Sequence, residues 1–539
     1  MANRSVKPGR VKLGGVLALC LFGLGLTVAG GASAKRSDEH NSLVVAVSND
    51  PASIDPARNT AEPIGSEMII NIFDTLVAWT APGFTRLEGR LATAWQMAPD
   101  GKSLTLQLRS GVRFQDGTPF DAAAVKFSIE RTRDLNPYMQ ASFGVIAAID
   151  VLGPLQLKIT LKQPMPMFLS LLAQPQAAIV SPTAVRKLGA HFGDHPVGTG
   201  PFRFRSYTPD TSVVLERNPD YFRGPSKLQR VIYRVIPDPS TRRLELKYGG
   251  IDIGQQAGQL ASIPADDIAS FNQDGKVRVL EVPSQIIRQI EFNNKDSESP
   301  VHDLRVRQAM AYAVDYDGLI NGVFSGLAER VYGPLPTSNW AFDPAMKQKA
   351  FSYNPARARA LLAAAGYKPG QLNFTLYTYQ GSIWSSVATF LQANFADVGI
   401  NVTVQQTEFP QFRALQVSGK FDIALDGRQP WYNDPDAHIT IGYLSTLADS
   451  AMTFRMPHDA ALDHLIVQAQ TTVDEGQRKQ LYVKLQDQLA ARVPAVYLFS
   501  NKIIVFIRSN VKGIVVNSAP PLNEYWSVYK DAPVPGQRP

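Results

Sequence analysis

The chain has 539 residues, 45% apolar in type and 19% charged, with a formal net charge of +7. That length exceeds what one hydrophobic core organises, so two or three domains are expected. Arg4, Lys7, Arg10 and Lys12 account for four of the positive charges; the remaining +3, with no block of like charge, argues against nucleic-acid and anionic-membrane partners.

The N-terminus reads as a secretory leader. Those four basic residues precede an apolar run from Leu13 to Ala29, and Ala32-Ser33-Ala34 is a small-residue cleavage site. The alternative is an uncleaved anchor, but the run is short for a span and rich in glycine. Cys20 is the single cysteine. Leu19 before it and Leu21-Phe22 after it do not suit a lipidated cysteine, so it reads as filler in the apolar run. Cleavage after Ala34 leaves residues 35 onward with no disulfide, thiol nucleophile or thiolate metal site.

After the turn Asp100-Gly101, Leu104, Leu106 and Leu108 alternate with Thr105, Gln107 and Arg109, which predicts a strand. Asp116-Gly117 leads into a helix capped by Asp121. Strands at 151–152 and 155–161 flank a Gly153-Pro154 turn. The block from 61 to 195 reads as one subdomain. Strand patterns follow at 202–207, 213–216 and 231–236, then a helix near 241–248.

From Ile290 the chain reads strand, loop, helix. Asp303 is placed to cap, and Val306, Ala309, Met310, Ala313 and Val314 form one helical stripe. Helices at 355–365 and 382–397 alternate with strands at 372–377, 401–407 and 421–425. This predicts an α/β domain with a largely parallel sheet. A helix at 473–492 carries Leu481, Leu485 and Leu489 on one stripe. Strand-like segments return at 496–499 and 503–506.

Catalytic motifs do not assemble. Gly322-Val-Phe-Ser-Gly326 has the wrong spacing for a nucleophile elbow. Gly101-Lys102-Ser103 resembles the end of a phosphate loop, but Gln96 stands where its first glycine belongs. Ser527-Val-Tyr-Lys530 has no accompanying Lys-Thr-Gly. His191 and His195 are four apart, but Gly193 and Pro196 place them on a loop. His438, His458 and His464 could join only through tertiary folding. No catalytic residue, metal or cofactor is expected.

The richest constellation is Asp426-Gly-Arg-Gln-Pro-Trp-Tyr-Asn-Asp-Pro435, beyond a short strand. Turn residues after a strand put side chains at the strand's C-terminal edge, where open α/β sheets bind ligands. Arg428, Trp431, Tyr432, Asp426 and Asp434 supply a cation, two aromatics and two anions, the parts of a small-molecule site. The competing reading is that Trp431 and Tyr432 pack the loop down and Asp434-Pro435 is only a turn. Arg428 suits a carboxylate or phosphate on the ligand.

Several phrases together resemble a known family. They are Asn71-Ile-Phe-Asp-Thr-Leu-Val77, Leu91-Ala-Thr-Ala-Trp-Gln-Met-Ala-Pro-Asp-Gly101, Gly198-Thr-Gly-Pro-Phe202, Arg217-Asn-Pro-Asp-Tyr-Phe222 and Asp303-Leu-Arg-Val-Arg-Gln-Ala309, with Asp434-Pro435. Their order and spacing are similar to the large extracytoplasmic solute-binding proteins, family 5, which serve peptide, opine, sugar and nickel ABC importers. The resemblance implies a two-lobed periplasmic-binding-protein fold with an extra subdomain and a hinge. It implies a first lobe of 35–60, 196–285 and 503–539, an inserted subdomain at 61–195 and a second lobe at 286–502. It implies a monomer in the periplasm that captures a small peptide or peptide-like solute and delivers it to permease subunits in the membrane. Nickel-complex, opine or sugar binding by the same fold, or a secreted hydrolase, are the alternatives. A chaperone-like scaffold would need an exposed apolar groove instead.

Relatives also present ligand contacts from the strand–helix junction that here reads Tyr377 to Trp384, so Tyr379, Gln380 and Trp384 are candidates. Trp384 also fits a core stripe with Val387, Ala388, Leu391 and Phe395. Asn59 and Phe143 are candidates on the facing lobe. Peptide-binding relatives carry an aspartate three residues before the Asp-Pro pair, where it meets an α-ammonium. Trp431 occupies that position, and it offers only cation–π attraction.

Overall fold

A computed structural model describes residues 41–531 except 61, 80–85, 255–267, 269, 272–274, 381, 429, 431, 450–452 and 518–521. The leader expected at 1–34 lies outside these residues. Among those described, no helix is long and apolar enough to cross a membrane.

The first sheet is built from Ser42–Val47, Arg230–Val235, Ser212–Arg217 and Phe202–Thr208, in that spatial order. The apolar alternation read at 213–216 and 231–236 places Val213, Leu215, Val231 and Tyr233 in its core. Ser42–Val47 runs parallel to Arg230–Val235. Ile253 bridges Val45 on one side and Ile507 on the other. That bridge joins the sheet to an antiparallel pair, Val277–Val282 with Ile503–Arg508. The strand 503–508 therefore belongs to the sheet that the segment 42–47 began.

The second sheet has six strands in the order Ala328–Arg330, Ala495–Asn501, Ile287–Phe292, Ile423–Arg428, Leu372–Tyr379, Ile400–Thr407. It is mixed, which corrects the expectation of a largely parallel sheet. Leu372–Tyr379 is parallel to its two neighbours. Ile287–Phe292 is antiparallel to both of its own. The cause is topological: 287–292 carries the chain away from the first sheet and 495–501 carries it back. Helix Leu304–Ala313 packs on this sheet, and Asp303 caps it by accepting from the Arg305 N–H at 2.8 Å. Val306, Ala309, Met310 and Ala313 of the expected stripe are buried in the shared core.

A third, antiparallel sheet comprises Ala92–Met97, Ser103–Leu108, Gln156–Leu161 and Ile146–Gly153. Its core runs from Leu76 to Ile179 and includes helix Ala122–Leu135, capped by Asp121 at 2.8 Å from the Ala124 nitrogen. Residues 64–73 and 180–192 flank this block in sequence but pack into the core of the first sheet. The Gly198-Thr-Gly200 phrase has a steric reason. A Cβ on Gly200 would meet the backbone carbon of Ile72 at 2.5 Å, so only glycine permits the two chains to pass.

The chain crosses between the first and second sheets twice, through 283–286 and through Lys502. Ser284 ties the crossings together. Its hydroxyl donates to the Asn501 carbonyl at 2.7 Å and lies 3.1 Å from the Ser500 hydroxyl.

Candidate ligand site

The antiparallel register pairs Gln289 with Asp426 and Ile287 with Arg428. Side chains alternate across a strand, so Gln289, Glu291, Asp426 and Arg428 share one face. Ile290, Phe292, Ile423 and Leu425 take the other, in the apolar core. The polar face is wholly buried. Helix Phe409–Ser418 lowers Arg413 and Gln416 onto it. Asp426 accepts from Arg413 at 2.7 Å and Gln416 at 2.8 Å through one oxygen, and from the Gly427 N–H at 2.6 Å through the other. Gln416 also donates to Glu291 at 2.7 Å.

Burial, helped by the Asp426 charge, pushes the Glu291 carboxyl up to about 7, against the pull of Arg428 and Arg413. An acid whose folded pKa is raised stabilises the fold most below its ordinary value, here 4.5, and loses that contribution as pH rises through about 7. His438 opposes it. Burial and the Arg428 charge depress its imidazole to about 3, so its contribution is present above 6.5 and lost as pH falls. Glu291→Gln should therefore gain stability relative to the natural protein between pH 5 and 7. Urea unfolding of both at the two pH values checks this; an unchanged difference would contradict the assignment.

Arg428 ends its strand at the edge where the chain crosses to the first sheet. Its guanidinium is 4.3 Å from the centre of the Phe454 ring, and the residue is only 4% exposed. Gly442 lies against it: a Cβ there would sit 3.3 Å from the guanidinium carbon.

The following loop is anchored by a buried ion pair. Arg478, on helix Glu475–Arg492, donates to both oxygens of Asp434 at 2.7 Å. One of those oxygens also accepts from the Asp436 N–H at 2.9 Å. Arg478 reaches the Ala469 carbonyl and the Tyr482 hydroxyl as well. Burial and the neighbouring Asp434 push Asp436 up to about 6. Tyr432 leaves this anchored loop to pack on the core of the third sheet, while its hydroxyl stays 3.4 Å from Asp436. At another point, a Cβ on Gly101 would meet Val473 at 3.0 Å. Tyr432 and Val473 thus bring the second-sheet side against the third-sheet subdomain.

The sequence candidates separate into groups. Asp426 and Arg428 lie at one strand end and Tyr432 and Asp434 on the loop that follows it, with both carboxylates occupied by protein donors. Trp431 lies outside the described residues, as does the side chain of Tyr379. Gln380 is exposed beyond the neighbouring strand end, its N–H on the Thr407 carbonyl at 3.1 Å. Trp384 takes the core alternative, packed with Val387, Ala388, Leu391 and Phe395. The Arg288 guanidinium is 4.8 Å from its ring centre.

Asn59 and Phe143 lie in the interior. The Asn59 amide donates to the Ser53 carbonyl and accepts from Ser66 and Gln176. Phe143 is fully buried against Phe168. Gln289, Glu291, Arg413, Gln416 and Arg478 hold the strand and loop that carry these candidates, and they escaped the sequence reading. The one signal was Gln289 and Glu291 at alternate positions of an otherwise apolar strand. Among the described residues, no three histidine, aspartate or glutamate side chains gather as a metal site. His191 instead pairs with Asp194 at 3.0 Å on the surface.

Two sheets joined by two crossings give the chain a two-lobed architecture. The model of the family "Bacterial extracellular solute-binding proteins, family 5 Middle" matches residues 86–448. The chain belongs to that family. It is 29% identical over 483 residues to the probable D,D-dipeptide-binding periplasmic protein DdpA of Escherichia coli K12, covering 88% of this chain and 91% of that one. It is 30% identical over 442 residues to the glutathione-binding protein GsiB of Pectobacterium atrosepticum, covering 80% and 84%. The structure of the periplasmic binding protein DppA from Helicobacter pylori, in complex with the peptide STSA, superposes with a TM-score of 0.75 at 26% identity. It covers 92% of this chain and 100% of that one.

Proposed function

We propose that the protein captures a small peptide or peptide-like solute in the periplasm, between its two lobes, and delivers it to the permease subunits of an ABC importer. The observation that carries this is the position of Arg428 and its loop, at a strand edge beside both crossings. The names of the relatives supply the solute class. The crossings at 283–286 and 502 serve as the hinge between the first lobe (35–60, 196–285, 503–539) and the second (286–502), with 61–195 as the inserted subdomain. Arg428 takes an anionic group of the solute, and Trp431, Tyr432, Tyr379 and Gln380 line the space around it. Asp426 and Asp434 act through the groups they hold. The protein works as a monomer.

Solute contacts from both lobes favour the closed state, and the permease reads closure. Mass spectrometry of small molecules released from the purified protein tests the solute class: a peptide or peptide-like acid is expected, and a metal complex or neutral sugar in its place would overturn it. Tyr432→Ala removes the aromatic contact that links the closed lobes. It should weaken solute binding by about 1–2 kcal/mol, seen by calorimetric titration, and lower the unfolding midpoint of the solute-free protein through the packing lost on the third-sheet core.

A further inference from the structure

Gly101 is the tip of a turn, yet it is buried, while Asp100 and Lys102 on either side of it are exposed. Its cover comes from elsewhere in the chain. A Cβ on Gly101 would meet a γ-carbon of Val473 at 3.0 Å and the Cβ of Pro164 at 3.1 Å. We propose that this contact is a latch: Val473 seats on Gly101 and Pro164 when the lobes close, and so sets solute affinity without touching the solute. The proposal rests on the reading above, in which 286–502 is the second lobe and 61–195 the inserted subdomain.

Both sides of the contact are stiff. The Gly101 N–H donates to the Ala98 carbonyl at 2.9 Å, and the Met165 N–H donates to the Gly101 carbonyl at 3.1 Å, which keeps Pro164 beside the turn. Gly101 has a φ of 67°, which glycine adopts without strain, and the space of its missing Cβ is what the valine uses. On the other side, Val473 is the single residue between two helix caps. Thr472 ends helix Ala460–Thr471, its N–H and hydroxyl donating to the Gln468 carbonyl at 3.0 and 2.7 Å. Asp474 begins helix Glu475–Arg492 and accepts from the Gln477 N–H at 2.8 Å. A β-branched side chain presented from so short a connection loses little freedom on docking.

The same block holds the loop proposed to meet the solute. Arg478 donates to the Ala469 carbonyl at 3.0 Å, joining the helices on either side of Val473, and its guanidinium also holds both oxygens of Asp434. Tyr432, just before Asp434 in the loop, packs on the third-sheet core. Val473 and Tyr432 therefore reach the inserted subdomain from one cross-linked unit, and seating either favours seating the other. The contact involves few carbon atoms, so it biases the lobes toward closure without holding them shut. Apparent affinity scales with the closed fraction and falls when that bias is removed.

The first arm of the test needs no solute. Val473→Asp sets a charge against the apolar contact, and Gly101→Cys with Val473→Cys locks it. A disulfide spans Cβ atoms about 3.8 Å apart, a reach this contact offers, and from Lys35 onward no natural thiol competes. Small-angle X-ray scattering should give the smallest radius of gyration for the oxidised pair and the largest for Val473→Asp, with the natural protein between them. Dithiothreitol should expand the oxidised pair. A purely local packing role would leave all three the same size. In the second arm, the small molecules released by denaturing the natural protein should leave Val473→Asp about three- to tenfold faster, at an unchanged association rate. Equal radii for the three proteins, or equal dissociation rates for Val473→Asp and the natural protein, would overturn the latch. Contraction of the natural protein by those molecules in such a case would leave the hinge reading standing. The comparison of Val473→Asp with the natural protein does not depend on the disulfide forming.

Discussion

Arg478→Met is expected to lower the stability of the protein by about 3–5 kcal/mol, because it leaves the buried Asp434 carboxylate without its cation. Both Asp434 oxygens depend on Arg478, and one of them also holds the Asp436 N–H that begins the next helix. The loss should spread to function, since the same loop carries Trp431 and Tyr432. The double substitution Asp434→Asn with Arg478→Met removes both charges and should recover part of the stability. Chemical denaturation of the single and double variants gives the coupling. Equal stabilities for Arg478→Met and the natural protein would show that the ion pair does not anchor the loop.

Arg428→Ala should weaken solute binding by about 1–3 kcal/mol through loss of a charge-assisted contact. Its burial adds a second effect. From sequence alone an arginine on a binding loop is expected to be dispensable for stability. The structure instead packs its guanidinium over Phe454 and against Gly442, so truncation opens a void and the solute-free protein should also unfold earlier. Arg428→Lys keeps the charge but not the flat stacking group, so it should retain part of the binding and less of the packing. Titration against the released solute, with the unfolding midpoint measured in parallel, separates the two effects. Unchanged binding in Arg428→Ala would remove this residue from the site.

Local structure was legible where one element carried its own signal. Asp121 and Asp303 cap the helices their spacing implied, and the Leu104, Leu106, Leu108 alternation is a strand with one buried face. The mixed direction of the six-stranded sheet was not legible. Strand polarity there follows from which segments cross between lobes, and crossing leaves no periodic mark. The site divides the same way. Arg428, Tyr432 and the two aspartates sit in ten consecutive residues with turn chemistry, so the eye finds them together. Their partners do not: Arg478 is 44 positions from Asp434, and Gln416 and Glu291 lie 125 apart. Trp384 satisfied two readings at once, and only its packing against Leu391 and Phe395 decides for the core. Asn59 and Phe143 rested on family analogy without a local signal, and both are held by their own interior.

The central claim is that a solute closes two lobes about the crossings at 283–286 and 502. Small-angle X-ray scattering tests it most directly, on protein unfolded and refolded to strip bound solute, before and after adding the molecules it released. The account predicts a smaller radius of gyration on addition, reversed by dialysis, and no such change when Arg428→Ala is mixed with the same solute at the same concentration. A scattering curve that stays the same with saturating solute bound would contradict it.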